Sequence, residues 1–339
     1  MIAMQKLKII VMLLFSVLTL LPVLTSCTAE TSLSKYEETR EMMDTFVRVT
    51  VYTTDKESAD KGVAAAFDRM QEVVDAASIY DENAEAYRLN HDGYINNPSA
   101  DLLELIRLSI EYNNMSNGYF DITVQPLLDL WSAGLWKETP EIQQAKVNEA
   151  LNLVGSDKIV VTDNRISLSV PGMEITFGAI AKGYAVDKAL ETLTSLGIDH
   201  ALIVAGGDIG AMGTKPNKEP WNFSLVNPDN TDQSLATFQF PQNASVSTSG
   251  NYERYFSPDK KVAHLMNPKT GFTAGDSISV TIIAPSNTQA DALATSVFVM
   301  GPEAGMSLVK SLKDVECFIV DANRNIITSP GINKYLVKS

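Results

Sequence analysis

The sequence predicts an α+β protein with mixed or antiparallel sheets and packed helices. Segments with helical spacing of apolar residues alternate with segments rich in β-branched residues, and hydrophobic residues make up 45% of the 339-residue chain. No strict strand–helix–strand rhythm runs through the chain, so a doubly wound parallel sheet is disfavoured. The length allows one large domain or two closely packed subdomains.

Local patterns of apolar and polar residues predict the helices and strands, which are given in chain order. The first strand is predicted at 43–53, where apolar and polar residues alternate, and the first helix at 58–77, where Val63, Phe67, Met70 and Val74 share one face. Helices are further predicted at 100–113, 141–153, 180–196 and 287–300, with one more after Gly301-Pro302. Strands are further predicted within 158–176, at 201–205, within 221–265, at 277–284 and twice near the C-terminus. The aromatic, turn-rich segment 114–136 is expected to be irregular.

The N-terminus has the features of a lipoprotein signal. Lys6 and Lys8 precede an apolar run, which ends in Leu24-Thr25-Ser26-Cys27. This pattern predicts a signal peptide over 1–26, a lipidated Cys27 with a tether over 27–40, and a folded domain over 41–337. The protein would then be exported and anchored by lipid to a membrane facing the periplasm, with the choice of membrane open. A plain signal peptide or an N-terminal anchor helix is the alternative.

The net charge and the cysteine content limit the classes of partner that the chain is expected to bind. The formal net charge is −14, and it becomes more negative once residues 1–26 are removed. Such an acidic chain is not expected to bind nucleic acid, and a phosphate ligand would require local cations or a bound metal. Apart from Cys27, the chain has only Cys317, which lies in an apolar run and is expected to be a small core residue.

Asp291 and Thr295 are the strongest candidates for a metal site. They lie four residues apart on the predicted helix 287–300, so their side-chain oxygens share one face. A carboxylate beside a hydroxyl suits Mg²⁺, which binds few protein oxygens together with phosphate and water. Alternatively, Asp291 caps the helix start and Thr295 bonds back to a carbonyl group.

Two glycine-containing segments are candidates for ligand contact. Small residues around Ala179 and Lys182 precede a helix, where the backbone can approach an anion and the lysine can add a cation. The strand 201–205 runs into Gly206, Gly207 and Asp208, a common place for a ligand to meet the backbone. A tightly packed helix start and an ordinary tight turn are the alternatives.

His264 is the candidate general base. It stands beside an Asn-Pro-Lys-Thr-Gly turn, where loop residues can converge on a site, and an imidazole can deprotonate an incoming hydroxyl group. A structural histidine at a strand end is the alternative.

Taken together, these segments resemble the ApbE family of FAD:protein FMN transferases. The segments occur in the family's order over about 42–320 and include Met43-Asp44-Thr45, Ser78-Ile79-Tyr80 with Leu89-Asn90, Gly118-Tyr119-Phe120-Asp121-Ile122-Thr123, Ala181-Lys182-Gly183-Tyr184-Ala185-Val186-Asp187, Gly206-Gly207-Asp208, Thr248-Ser249-Gly250-Asn251-Tyr252-Glu253-Arg254, His264-Leu265-Met266-Asn267-Pro268-Lys269-Thr270-Gly271 and Ala290-Asp291-Ala292-Leu293-Ala294-Thr295. Asp44 stands where the family usually has glycine, and Ala84 where many members have serine.

The resemblance implies a T-fold-like unit of two subdomains with FAD in the cleft. Asp291, Thr295 and the Ala179 carbonyl group would hold Mg²⁺, and Lys182 would lie near the phosphates. His264 would activate a threonine hydroxyl of the acceptor, so that His264, Lys182 and Asp291 are the implied catalytic residues. The implied cofactor-binding residues are Met43, Tyr80, Asn90, Asp121, Lys182, Gly206, Gly207, Asp208, Ser249, Gly250, Arg254 and His264.

The implied reaction attaches FMN from FAD to a threonine or serine of another protein and releases AMP. The implied partners are flavoprotein subunits of membrane redox complexes with a short Asp-x-x-(Ser/Thr)-Gly-Ala-(Ser/Thr) motif. Two alternatives remain, a Mg²⁺-dependent FAD pyrophosphatase and a non-catalytic lipoprotein that binds flavin for delivery.

Overall fold

An eight-stranded antiparallel sheet forms the centre of the molecule. The computed structural model describes residues 32–240 and 243–337, and from Leu33 onward they pack as one compact unit. The strands are β1 (Ser34–Met42), β2 (Thr45–Thr53), β3 (Tyr94–Asn96), β4 (Ile159–Thr162), β5 (Arg165–Leu168), β6 (Ala201–Ala205), β7 (Asp208–Met212), β8 (Trp221–Asn227), β9 (Asn230–Phe240), β10 (Ala244–Gly250), β11 (Ser277–Ala284), β12 (Glu316–Asp321) and β13 (Ile326–Thr328). The large sheet has the order β1-β2-β6-β7-β10-β11-β12-β13, β3-β5-β4 form a small sheet, and β8-β9 form a hairpin.

Helices cover one face of this sheet. The helices of the described residues are α1 (Lys56–Ala77), α2 (Glu85–Asp92), α3 (Ala100–Met115), α4 (Gln125–Ser132), α5 (Pro140–Leu151), α6 (Ala181–Ser195), α7 (Asn287–Met300) and α8 (Pro302–Ser311). The predicted α+β class is confirmed. None of these helices combines the length and apolar character needed to cross a membrane.

Side chains alternate between the two faces of a strand, so neighbouring residues of the large sheet belong to two different hydrophobic cores. On β12, Cys317 and Ile319 belong to the core under the helices, whereas Phe318 and Val320 belong to the core under the β8–β9 hairpin. Cys317 is fully buried, as predicted. A third, smaller core joins α4 and α5 to the loop between β10 and β11 through Trp131, Val147 and Met266.

The structure corrects two sequence-based predictions. Ser34 to Arg40, assigned to the tether 27–40, lie in β1, which pairs with β2 along its whole length. Part of the segment 114–136, expected to be irregular, forms α4. The signal peptide 1–26 and Cys27 lie outside the described residues.

Candidate active site

A cleft of about 710 Å³ lies where the β1–β2 turn and the end of β10 meet the helices. Its walls come from the β1–β2 turn, the end of α1, the segment 119–132, the start of α6, the loop after β10, and α7. Of the predicted site residues, the cleft brings together Met43, Tyr80, Asp121, Ala179, Lys182, Ser249, Arg254, His264, Asp291 and Thr295. A second cavity of about 500 Å³ beside Trp131 and Trp136 contains none of them.

The candidate metal residues lie where α6 meets α7. Asp291 Oδ2 accepts a hydrogen bond of 3.0 Å from the Gly183 backbone N–H, and Thr295 Oγ1 lies 3.2 Å from Ser249 Oγ. Ser286 caps α7, with its side chain accepting from Gln289 N, so Asp291 does not cap its own helix. Instead, Asp291 binds a first-turn amide of α6, whose N-cap residue Ile180 makes no side-chain capping bond.

The floor of the cleft is rich in carboxylates around one ammonium group. Lys182 Nζ pairs with Asp208 Oδ2, and Asp208 is only 1% exposed with Oδ1 left without a partner. Burial, and then the charge of Asp208, raise the pKa of Asp291 to about 7. Burial alone would lower the pKa of Lys182, but Asp208 and Asp291 outweigh burial and raise it. A cation at this point would relieve the excess negative charge.

The three residues predicted to hold a divalent cation all line this cleft, and each would offer one hard oxygen. These oxygens are a carboxylate oxygen of Asp291, the Thr295 hydroxyl and the carbonyl oxygen of Ala179. Within the described part of the chain, no group of three or more His, Cys, Asp or Glu side chains is arranged to hold a metal. Further ligands would therefore come from water and phosphate, which is the usual situation for Mg²⁺.

His264 lines the same cleft and lies in the loop between β10 and β11. Its Nδ1 lies 3.3 Å from the Arg254 carbonyl oxygen, which can only accept, so Nδ1 carries the proton and Nε2 keeps a lone pair. Loss of water around the ring lowers the pKa of His264, and the charges of Arg254 and Lys182 act in the same direction. A neutral ring at physiological pH can accept a proton.

The β1–β2 turn forms part of the cleft mouth. Met43 and Asp44 have φ of +53° and +56° and connect the paired residues Met42 and Thr45. Asp44 Oδ2 lies 3.7 Å from Arg254 Nη2, and both side chains are mostly exposed. The position at which the family usually has glycine is therefore left-handed here.

Five of the predicted site residues do not line the cleft, namely Asn90, Gly206, Gly207, Asp208 and Gly250. The Gly206-Gly207 turn joins β6 to β7, and a Cβ atom on Gly207 would lie 3.0 Å from the Thr248 carbonyl oxygen, so the turn packs behind Thr248. Gly250 likewise packs against the ring of Tyr252, 2.5 Å from a built Cβ atom. Asn90 exchanges hydrogen bonds of 2.9 and 2.8 Å with the Ile175 backbone and supports the segment before Thr176. Their predicted contacts with flavin or nucleotide stay a prediction.

Tyr80 and Asp121 line the cleft in different ways. Tyr80 is 78% exposed at the rim of the cleft. It follows a turn in which Ser78 Oγ accepts a hydrogen bond from the Tyr80 backbone N–H. The Asp121 carboxylate is engaged in the protein, because it accepts from the Thr123 backbone and hydroxyl, the Ser156 backbone and hydroxyl, and the Asn113 amide. Asp121 therefore shapes this wall.

Glu253 and the end of α1 also line the cleft, although neither was among the predicted site residues. Loss of water around the Glu253 carboxylate raises its pKa. The sequence feature that could have identified Glu253 is its position within the segment Thr248-Ser249-Gly250-Asn251-Tyr252-Glu253-Arg254. Val73, Val74 and Ala77 form an apolar wall at the end of α1, and helical spacing alone does not distinguish such a wall from core.

Comparisons with known proteins agree with this geometry. The model of the ApbE family matches residues 43–319. A FAD:protein FMN transferase of Haemophilus influenzae is 28% identical, covering 79% of this chain and 83% of that protein. One of Treponema pallidum is 29% identical, covering 91% and 90%. The crystal structure of the ApbE protein of Thermotoga maritima has a TM-score of 0.80 at 28% identity, covering 90% of this chain and all of that one.

The family resemblance predicted from the sequence is thus confirmed. The match spans the β1–β2 turn, the Lys182 segment, His264 and the Asp291–Thr295 pair, which the fold brings to one cleft. The chain belongs to the ApbE family.

Proposed function

We propose that this chain transfers the FMN half of FAD to a threonine or serine hydroxyl of an acceptor protein, with Mg²⁺ bound at the cleft floor. The observation that carries the proposal is the Asp291–Thr295 pair on α7, which faces Lys182 across the α6–α7 contact in a cleft of about 710 Å³. Relatives of matching length are named FAD:protein FMN transferases, which supports the same reaction.

Each side of the cleft has a role in this reaction. Asp291, Thr295 and the Ala179 carbonyl oxygen would hold Mg²⁺, which supplies charge neutralisation for the pyrophosphate. Lys182 adds a positive charge on the same floor and is kept protonated by Asp208. The apolar wall of Val73, Val74 and Ala77 suits an aromatic ring system and keeps water from it.

His264 would accept the proton of the incoming hydroxyl at Nε2. The acceptor oxygen forms a bond to the FMN-side phosphorus, the bond from that phosphorus to the bridging oxygen breaks, and AMP leaves with that oxygen. The products are a phosphoester-linked flavin and AMP, and the proton remains with the imidazole.

Mass spectrometry of an acceptor domain tests the proposal. The full-length protein in detergent, FAD, Mg²⁺ and an acceptor with the Asp-x-x-(Ser/Thr)-Gly-Ala-(Ser/Thr) motif should give an FMN-sized mass gain that EDTA abolishes. His264→Gln should greatly reduce the gain, whereas His91→Gln should not, because the His91 side chain is 72% exposed and does not line the cleft.

The same experiment separates the alternatives. Free FMN and AMP without acceptor modification would instead indicate a FAD pyrophosphatase, in which water replaces the hydroxyl group. Flavin binding without any product would indicate a delivery protein.

We further propose that Cys27 carries lipid and that the enzyme faces the periplasm, where it would modify flavoprotein subunits of membrane redox complexes. The signal pattern before Cys27 supports this location. Cys27→Ala should abolish incorporation of labelled palmitate and release the protein from membranes. Retention of label in that variant would contradict the assignment.

A further inference from the structure

The N-terminus of α7 is held by a carboxylate from a different helix. Asp187 on α6 accepts hydrogen bonds from the Asn287 N–H at 2.7 Å, the Thr288 N–H at 2.8 Å and the Thr288 hydroxyl at 2.6 Å. Ser286 caps the next amide, that of Gln289. Helix N-termini favour negative charge because their amides and dipole point toward it, so a partly buried carboxylate is tolerated here.

Asn287 also fixes the same turn to the sheet. Its Nδ2 donates to the carbonyl oxygens of Ile209 at 2.7 Å and Val246 at 3.1 Å. These two residues are paired partners on the neighbouring strands β7 and β10. The side chain is fully buried, so each of these bonds replaces water that Asn287 cannot reach.

The two attachments act on the helix that carries Asp291 and Thr295. Asn287, Asp291 and Thr295 are spaced by four residues, so they lie along one side of α7. On α6, Gly183 and Asp187 have the same spacing, and Gly183 donates to Asp291 while Asp187 binds the first turn of α7. One face of α6 therefore fixes both the position of α7 along its axis and the direction of the Asp291 carboxylate.

We infer that Asp187 is a positioning residue for the cation ligands Asp291 and Thr295. The inference rests on the proposed function, because it assumes that these two side chains hold a divalent cation. Asp187 does not line the cleft and acts through α7. In Asp187→Asn, the new amide NH₂ would face the N–H of either Asn287 or Thr288, and two donors cannot pair, so the first turn of α7 would shift in either orientation. Groups that orient metal ligands typically change metal affinity by about 10- to 100-fold when removed.

The test measures cation binding directly. Mn²⁺, as a spectroscopic substitute for Mg²⁺, is titrated into the full-length protein in detergent with and without ADP, and free Mn²⁺ is followed by electron paramagnetic resonance. We expect the Kd for Mn²⁺ to rise about tenfold or more in Asp187→Asn. Thr288→Val removes only the hydroxyl bond to Asp187, so it should fold normally and show a smaller rise.

Two control variants separate positioning from general stability. Asp55→Asn makes the same change at the N-cap of α1, where Asp55 accepts from the Ser58 N–H at 2.8 Å, and should leave the Kd for Mn²⁺ unchanged. Ile166→Ala removes a fully buried side chain from β5 and should lower the melting temperature without changing the Kd. The affinity for FAD, measured in EDTA, should change by less than about twofold in Asp187→Asn. The substitution does not alter the apolar wall of Val73, Val74 and Ala77.

The outcomes distinguish the inference from the proposed function. Wild-type affinity for Mn²⁺ in both Asp187→Asn and Thr288→Val would overturn the inference alone. An equal loss of affinity in Ile166→Ala would also overturn it, since the effect would then reflect stability. If Asp187→Asn does not fold, Thr288→Val decides. Absence of Mn²⁺ binding by the wild-type protein would overturn the metal part of the proposed function and the inference with it.

Discussion

Gly183 lies directly against Asp291: its backbone N–H donates to Asp291 Oδ2 at 3.0 Å, and a Cβ atom built on it would lie 2.8 Å from Asp291 Cβ. The same Cβ atom would lie 2.4 Å from the Asn287 carbonyl oxygen. Glycine therefore allows the close approach of α6 and α7, and the Asp291 carboxylate is oriented at the point of contact.

Gly183→Ala should separate these helices. Alanine favours a helix over glycine by about 1 kcal/mol, but the overlap should outweigh this and destabilise the protein by about 1–3 kcal/mol. Urea unfolding measures the loss, and Gly275→Ala is the control because a Cβ atom there meets no atom within 4 Å. Equal stability of the two variants would argue against a close contact of α6 with α7.

Asp291→Ala should abolish Mg²⁺-dependent release of AMP from FAD. Charge stabilisation by a bound cation is worth several kcal/mol, so the loss should be ~100-fold or more. Coupled detection of AMP measures the rate, with exposed Asp68→Ala on α1 as the control. Normal Mg²⁺-dependent turnover by Asp291→Ala would remove Asp291 from the metal site.

Asp44→Gly should stabilise the fold by about 0.5–1 kcal/mol, because φ is +56° at Asp44 and glycine adopts this conformation without steric cost. A two-residue hairpin turn with two positive φ angles favours glycine at its second position. Thermal unfolding measures the gain. Asp44→Ala is the control: it removes the exposed pairing with Arg254, which contributes little, but keeps the strain. Equal stabilisation by alanine would point to charge as the cause.

The Arg69–Asp101 pair should make stability sensitive to acid. Hydrogen bonds of 2.7 and 2.5 Å from Arg69 lower the pKa of Asp101 below its ordinary value of 3.8, although partial burial opposes them. The unfolded chain therefore binds more protons near that pH, so the stability from this pair is present above about pH 4 and is lost as the pH falls through the folded-state pKa.

Urea unfolding between pH 2.5 and pH 6 measures this dependence. Asp101→Asn should be less stable than wild type at pH 6, and the difference should shrink toward pH 2.5. If the difference in unfolding free energy between Asp101→Asn and wild type is constant across this range, the charge of the Asp101 carboxylate is not the source of the pH dependence. Asp68→Asn, which changes an exposed carboxylate on α1, is the matched control.

Elements with strong local patterns were predictable from the sequence. The strands Ala201–Ala205 and Ser277–Ala284 and the helix Asn287–Met300 have the predicted bounds, because uninterrupted apolar or alternating runs end at glycine or proline. β1 was missed because its charged sequence has no apolar face, and its pairing with β2 decides its structure. α4 was missed because the whole segment 114–136 was predicted to be turn-rich and irregular, although Pro126 lies in the first turn of α4, where proline is tolerated.

The candidate site was predictable as a set of residues and less so as a set of contacts. The ordered segments pointed to Lys182, His264, Asp291 and Thr295, which all line one cleft. The role of Asp187 joins residues about 100 positions apart and is visible only in the folded chain. Likewise, the amide of Asn90 is used by the Ile175 backbone 85 positions away, which no local pattern indicates.

β1 also affects whether copies of this protein associate through the edges of their sheets. It is an edge strand of the large sheet, and Lys35, Glu37, Glu38, Arg40 and Glu41 give it charged side chains at five of its nine positions. A second copy that added its own β1 here would strip many of these charged side chains of water. Crowded molecules should therefore remain separate along this edge, and the long antiparallel sheet does not become a template for fibres.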